Sequence, residues 1–225
     1  MLTTSIIIPT LNEAGQIAET LAAISRLEGE WEVLVADGGS DDDTVKRAEA
    51  AGAVVLRCPR GRGPQMHAAA TMARGDVLWF LHADTRPPAH ALHEIRRTLA
   101  DERVAGGSFT PRFSGASLAA RQMTWIYPAL RWLGLSYGDA GMFVRRSAYE
   151  SIGGFRPYSL FEDLDLVRRI RRHGRFVRLH CQIETSSRRF ERAYGRTWAT
   201  WITLQILYWI GVPPNRLARW YHNGR

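Results

Sequence analysis

Cysteine and lysine are nearly missing from this chain, and no fixed-period repeat is present. Only Cys58 and Cys181 occur in 225 residues. They lie far apart, without histidine or cysteine partners at zinc spacing, which argues against a disulfide framework or a structural zinc site. Lys46 is the one lysine among 30 basic residues, so a net charge of +8 is carried by arginine. Without a repeat, solenoids and propellers are excluded. No apolar run reaches the roughly 20 residues of a membrane span. The longest, 198–212, is interrupted by Thr200, Thr203 and Gln205. The opening residues carry no basic segment and only a short apolar run at 5–9, so no secretory leader is expected and the cytoplasm is the expected location.

What remains is an ordinary globular composition, 45% hydrophobic and 23% charged. This suits one domain, or one with a small appendage. The arginine excess favours an anionic partner, whether nucleic acid, an anionic membrane or a phosphorylated substrate, and charge alone does not choose.

Residues 5–8 form a β-branched run ending at Pro9, and helical spacing follows over 14–27, with Ile17, Leu21, Ile24 and Leu27 on one stripe. A strand over 32–36, a helix from 40–44 to 51, a strand in AVVLRC, an alanine-rich helix over 64–73 and a strand over 77–81 complete the first half. Strand and helix alternate, the pattern of a parallel sheet with right-handed crossovers. In such sheets ligands sit beyond the carboxyl ends of the strands. Three polar clusters fall there, at 9–13, 37–40 and 82–84. The second half is less regular: strands in GGSFTPRF, over 140–144 and in RFVRLH, a helical and aromatic stretch over 118–135, and a basic helix over 162–172.

The motifs SIIIPTLNE, VADGGSDDDT, DVLWFLHADT and GGFRPYSLFEDLDL, in this order and spacing, resemble family 2 glycosyltransferases of the GT-A fold. RGRGPQMHAAATMARGDVLWFLHADT is similar to a subgroup of small bacterial members. The resemblance implies an α/β fold, a mostly parallel Rossmann-like sheet flanked by helices, with a C-terminal hydrophobic helix. It implies a glycosyltransferase domain over 1–196, nucleotide-binding at 1–105 and acceptor-binding at 106–196, followed by an amphipathic tail over 197–225. Asp84 would be the last carboxylate of the family's DxD motif and a ligand of a divalent cation, Mn or Mg. His82 occupies the motif's first position, where aspartate is commoner, and would bind the metal directly or support it. Pro9, Thr10, Asn12, Glu13 and Ala83 would line the nucleotide pocket, and Asp37 would accept from the base or ribose beside Gly38. Arg62 and Gln65 would contact the diphosphate or base. Glu162 and Asp163 match the family's ED motif, Asp163 being the base that takes the acceptor's proton. Asp139 would face the acceptor.

Plainer roles exist for the same residues. Asp84 and Asn12 suit turn or helix caps, Asp37-Gly38 suits a turn, and Glu162, Asp163 and Asp165 also complement a helix dipole. The functional reading is single-sugar transfer, since no QxxRW motif of processive members occurs. A nucleotide-sugar donor, UDP-linked as the resemblance implies, would give its sugar with inversion to a hydroxyl on a lipid-linked or small-molecule acceptor. Residues 198–212, flanked by arginines, suit either an interfacial helix at the inner membrane face or a core or dimerisation helix. Alternatives are a nucleotidyltransferase, a relative that binds sugar nucleotide without turnover, and a basic nucleic-acid-binding module. The last wants aromatics interleaved with arginines on one face, so no nucleic-acid partner is expected.

Overall fold

The computed structural model describes residues 2–115, 120–122, 124, 126–127, 138–188 and 194–223. Four parallel strands build the first half: β1 (Thr4–Thr10), β2 (Trp31–Asp37), β3 (Val54–Arg57) and β4 (Val77–Phe80). Helices α1 (Ile17–Ile24), α2 (Thr44–Ala50) and α3 (Arg62–Met72) connect them. The expected alternation is present, with strand and helix bounds shifted by a few residues. β1 runs through Pro9 rather than stopping there. Ile7 accepts from Leu81 and Thr10 from Gly38, so odd positions of β1 face β4. That strand's pairing ends at Ile7 and Phe80, and the missing N–H of Pro9 therefore costs no ladder bond.

The second half adds β5 (Thr85–Arg86), α4 (Ala91–Leu99), β6 (Val104–Ser114), β7 (Met142–Arg145) and α5 (Arg146–Ser151). These are followed by α6 (Glu162–Ile170), β8 (Arg175–Ser186), α7 (Tyr194–Trp209) and α8 (Pro214–Asn223). All eight strands form one sheet in the order β3-β2-β1-β4-β7-β6-β8-β5. β7 is antiparallel to β4 and to β6, while β8 runs parallel to β6. Two reversals restore direction, so the carboxyl end of β8 lies on the same sheet edge as those of β1, β2 and β4. The helical stretch expected over 118–135 lies mostly outside the described residues.

Side chains alternate along β1, with Ile6 and Ile8 in one apolar cluster and Ile7 in the other. The first cluster takes α1 and α4, including the predicted stripe Ile17, Leu21, Ile24 and Leu27. The second takes α3 and α6. A third, smaller cluster joins α7 and α8 to Leu160, Phe161 and Leu164. Helix α7 is thus neither wholly interfacial nor wholly core: Leu204 and Gln205 are buried, while Ile202 and Ile206 face outward.

Candidate active site

The carboxyl ends of β1 and β2 are welded by internal hydrogen bonds. Asp37 accepts from Thr10 Oγ1 (3.1 Å), Ser40 Oγ (2.5 Å), Gly39 N (3.0 Å) and Ser40 N (2.9 Å). Burial disfavours its charge, yet these four bonds outweigh burial and hold the carboxyl below its ordinary pKa. A carboxylate offers about four acceptor sites, so Asp37 meets a nucleobase only by giving up one of them. Gln65 is buried and donates to Thr10 O (2.8 Å) and Ala36 O (2.7 Å), bracing β1 against β2. A Cβ on Gly38 would stand 3.0 Å from the Gln65 amide. Asn12, at φ 56°, has its N–H on Ser40 Oγ and accepts from Asp41 N. The Ala83 carbonyl takes Thr20 Oγ1 at 2.7 Å. Thr10, Gln65, Asp37 and Ala83 therefore hold the loops in shape.

A different assembly forms where α3 meets α6. Gly63 lets the start of α3 approach the 156–158 loop, since a Cβ there would lie 3.1 Å from Tyr158 O and 3.2 Å from Arg156 O. The neighbouring Arg62 donates to Glu162, to Asp163 Oδ2 (3.2 Å) and to His82 Nε2 (3.2 Å). Guanidinium only donates, so His82 accepts at Nε2 and carries its proton on Nδ1, which faces Asp139 Oδ1 at 2.9 Å. Burial opposes the charge of Arg62, but Glu162, Asp163 and Asp139 together raise its pKa. Asp163 also accepts from Gly138 N (2.7 Å) and Leu164 N (2.7 Å). Even so, burial and the neighbouring Glu162 push its carboxyl up to about 6. Glu162 and Asp163 are both almost fully buried. The third acid, Asp165, is engaged by Arg169 (2.8 Å) and Arg156 (3.5 Å). Helix α6 starts from Phe161, a non-glycine residue at φ 59°. Its ring is held by Tyr208 (4.7 Å between centroids) and Trp201 (6.2 Å), so packing compensates a backbone conformation that costs about 1–2 kcal/mol.

A third group is bridged by an arginine that the sequence reading assigns only to a membrane flank. Arg188, just beyond β8, lies 3.3 Å from Glu13 Oε2 and 3.7 Å from Asp84 Oδ2. The signal for it was topological: β8 ends on the same edge as β4. Among the described residues, no three His, Cys, Asp or Glu side chains come together as a metal cage. Asp84 is partly exposed, and the one lone pair of His82 suited to a metal is taken by Arg62. Such a donor set suits a hard cation that draws most of its ligands from substrate phosphates and water.

The sheet and its helices are the GT-A architecture. The chain resembles the mannosyltransferase PcManGT of Pyrobaculum calidifontis, solved with GDP-mannose and Mn²⁺, at TM-score 0.74 and 20% identity over 92% of this chain and 62% of that one. It also resembles glucosyl-3-phosphoglycerate synthase of Mycobacterium tuberculosis, solved with Mn²⁺, UDP and glucosyl-3-phosphoglycerate. There the TM-score is 0.65 and identity 20%, over 94% of this chain and 81% of that one. In sequence it is 24% identical to the probable glycosyltransferase YdaM of Bacillus subtilis, covering 88% of this chain and 52% of that protein. The chain spans about half the length of the curated relatives it matches. The family model "Glycosyl transferase family 2" matches residues 5–160, a span that takes in all three polar strand ends. The chain belongs to glycosyl transferase family 2.

Proposed function

We propose that the chain moves a single sugar from a nucleotide diphosphate donor to an acceptor hydroxyl, with inversion at the anomeric carbon. The observation that carries this is the buried Asp163 carboxyl, clasped by Arg62 and Gly138 N beside the end of β4. With a pKa of about 6 it is ionised near neutrality yet basic enough to take a hydroxyl proton. One displacement by that hydroxyl breaks the bond from sugar to diphosphate, and the nucleoside diphosphate leaves with the bonding pair. Arg62 and Arg188 carry positive charge where that group's charge grows. Glu162 keeps Arg62 in place when a diphosphate competes for it, and His82, fixed by Asp139, packs against the same guanidinium.

Asp84, with His82 once Arg62 turns to the donor, would hold a divalent cation, which neutralises the leaving diphosphate when bound. The relatives' Mn²⁺ supports a divalent ion and leaves Mn against Mg open, as GDP and UDP leave the base open. UDP is our first choice, on the motif resemblance. Asp37 and Gly38 would border the base, and Asp139 the acceptor.

Calorimetric titration with UDP and GDP, with and without Mn²⁺, tests the donor half. Metal-dependent binding of one of them, weakened at least about tenfold in Asp84→Ala, is the expected result. Equal binding by the variant would remove Asp84 from the metal role. No binding of either nucleotide would sink the transfer reading.

A further inference from the structure

Helix α7 exposes an apolar stripe that none of the described residues covers. Ile202, Ile206, Trp209 and Ile210 are 52%, 50%, 59% and 71% exposed. At about 100° per residue they fall within an arc of roughly 100°. Leu204 turns the opposite way, into the cluster with Leu160, Phe161 and Leu164, and Gln205 is buried at the stripe's flank. Gly211, at φ 92°, ends the helix, and Pro214 starts α8, which folds back against α7. The outer face of α8 adds exposed Arg216, Arg219 and Trp220, with the Arg216 guanidinium 5.7 Å from the Trp220 ring.

Arginine dominates the charge around this hairpin. No Asp or Glu occurs between residues 192 and 225, and α6 with the residue after it brings Arg168 and Arg171 beside the hairpin. A cleft of about 620 Å³ runs between α6 and the hairpin, its walls including Arg156, Tyr158, Arg168, Arg171, Tyr208 and Trp209. The acid that also lines it, Asp165, is engaged by Arg169 and Arg156. Two copies meeting through this face would bring arginine against arginine. A surface of anionic headgroups over apolar chains is complementary in both respects.

We infer that the α7–α8 hairpin docks on an anionic lipid surface, with Ile202, Ile206, Trp209 and Ile210 entering the acyl boundary and the arginine-lined cleft receiving headgroups. Among the described residues no helix is long and apolar enough to cross a membrane, so the contact is peripheral. The hairpin packs on Phe161, the residue before Glu162 and Asp163. An acceptor carried in the lipid would therefore arrive beside the base, a consequence that rests on the transfer reading, whereas the docking itself does not.

The test is co-sedimentation of the full chain with vesicles of phosphatidylcholine, alone or mixed with phosphatidylglycerol. Binding to the mixed vesicles only, weakened by added salt, is expected. The Ile206→Asp/Ile210→Asp variant should bind at least about tenfold more weakly, and Arg168→Gln should weaken the preference for anionic lipid. These positions are exposed, and nucleoside diphosphate binding measured on the same variants checks that they fold and keeps this result apart from the donor site. No binding to either vesicle, or undiminished binding by the double variant, would overturn the inference. So would a concentration-dependent dimer that Ile206→Asp dissolves, for then a second copy covers the stripe.

Discussion

Asp37 and Asp163 are both buried aspartates at the same sheet edge, and their surroundings push them in opposite directions. Asp37 is ringed by four donors from Thr10, Gly39 and Ser40, and its carboxyl is held below the ordinary range. Asp163 accepts from Gly138, Leu164 and Arg62, yet Glu162 shares the same guanidinium and burial is deeper, so its carboxyl rises to about 6. The first arrangement stores stability in a loop, and the second holds a carboxyl raised at a cost in stability, as the proposed base role requires. Two acids of one type are thus driven apart by burial and neighbours, Asp37 toward a loop anchor and Asp163 toward the base role proposed for it.

The largest effect that sharpens this contrast is expected at Asp163. Asp163→Asn keeps an acceptor for Gly138 N and leaves Arg62 paired with Glu162. Transfer should fall about a hundred- to ten-thousand-fold, with nucleoside diphosphate affinity nearly unchanged in calorimetry. Retained turnover would take the base role away from Asp163. The pH dependence gives a second reading. A carboxyl raised in the fold binds more protons folded than unfolded between about 4 and 6, so its contribution to stability declines as pH rises through that window. If Asp163 is the base, turnover should climb through about pH 6 as it ionises. Thermal melts of wild type should therefore lose stability relative to Asp163→Asn from pH 4 to 6.5.

Asp37→Ala should do the reverse, harming the fold before the chemistry. It strands Gly39 N and Ser40 N and removes two hydroxyl partners, a loss of about 2–4 kcal/mol. Because the Asp37 carboxyl is lowered, its stabilising contribution is present above the unfolded pKa near 4 and disappears as pH falls through the folded value. Wild type should converge on the variant in acid. A variant that melts like wild type but loses nucleotide binding would make Asp37 a ligand rather than a loop anchor.

Much of this arrangement was legible before any coordinates. The stripe Ile17, Leu21, Ile24 and Leu27 is buried as its spacing implies, and the strand ends at 9–13, 37–40 and 82–84 carry the polar clusters. Both signals are local, one a 3.6-residue period and the other a β-branched run followed by glycine or acid. Helix α4 carried a readable signal too, Leu92, Ile95 and Leu99 on one buried face, though no element was assigned there. β5, two residues long, has no periodicity to detect. The reach of Arg62 to Glu162 and Asp163 spans a hundred residues of sequence, and Arg188 joins Glu13 and Asp84 only because β8 reverses direction twice relative to β4. Such pairings depend on sheet order, which residue patterns leave open.

The smallest expected effect falls on the residue that keeps the chemical corner compact. Gly138 sits in a crowded corner between His82 and Asp163: a Cβ would stand 2.7 Å from His82 Nε2 and 3.6 Å from Asp163 Oδ2. His82 is held on its other side by Asp139 and contacts Arg62 through that same Nε2. In Gly138→Ala the ring must turn away and loosen the guanidinium, while the Gly138 N–H to Asp163 remains available. Transfer should fall about three- to tenfold, or roughly 0.6–1.4 kcal/mol in the barrier, with a melting temperature shifted by less than about 3 °C. A large drop in melting temperature with unchanged turnover would place Gly138 with Asp37, among the residues that hold the loops rather than the chemistry.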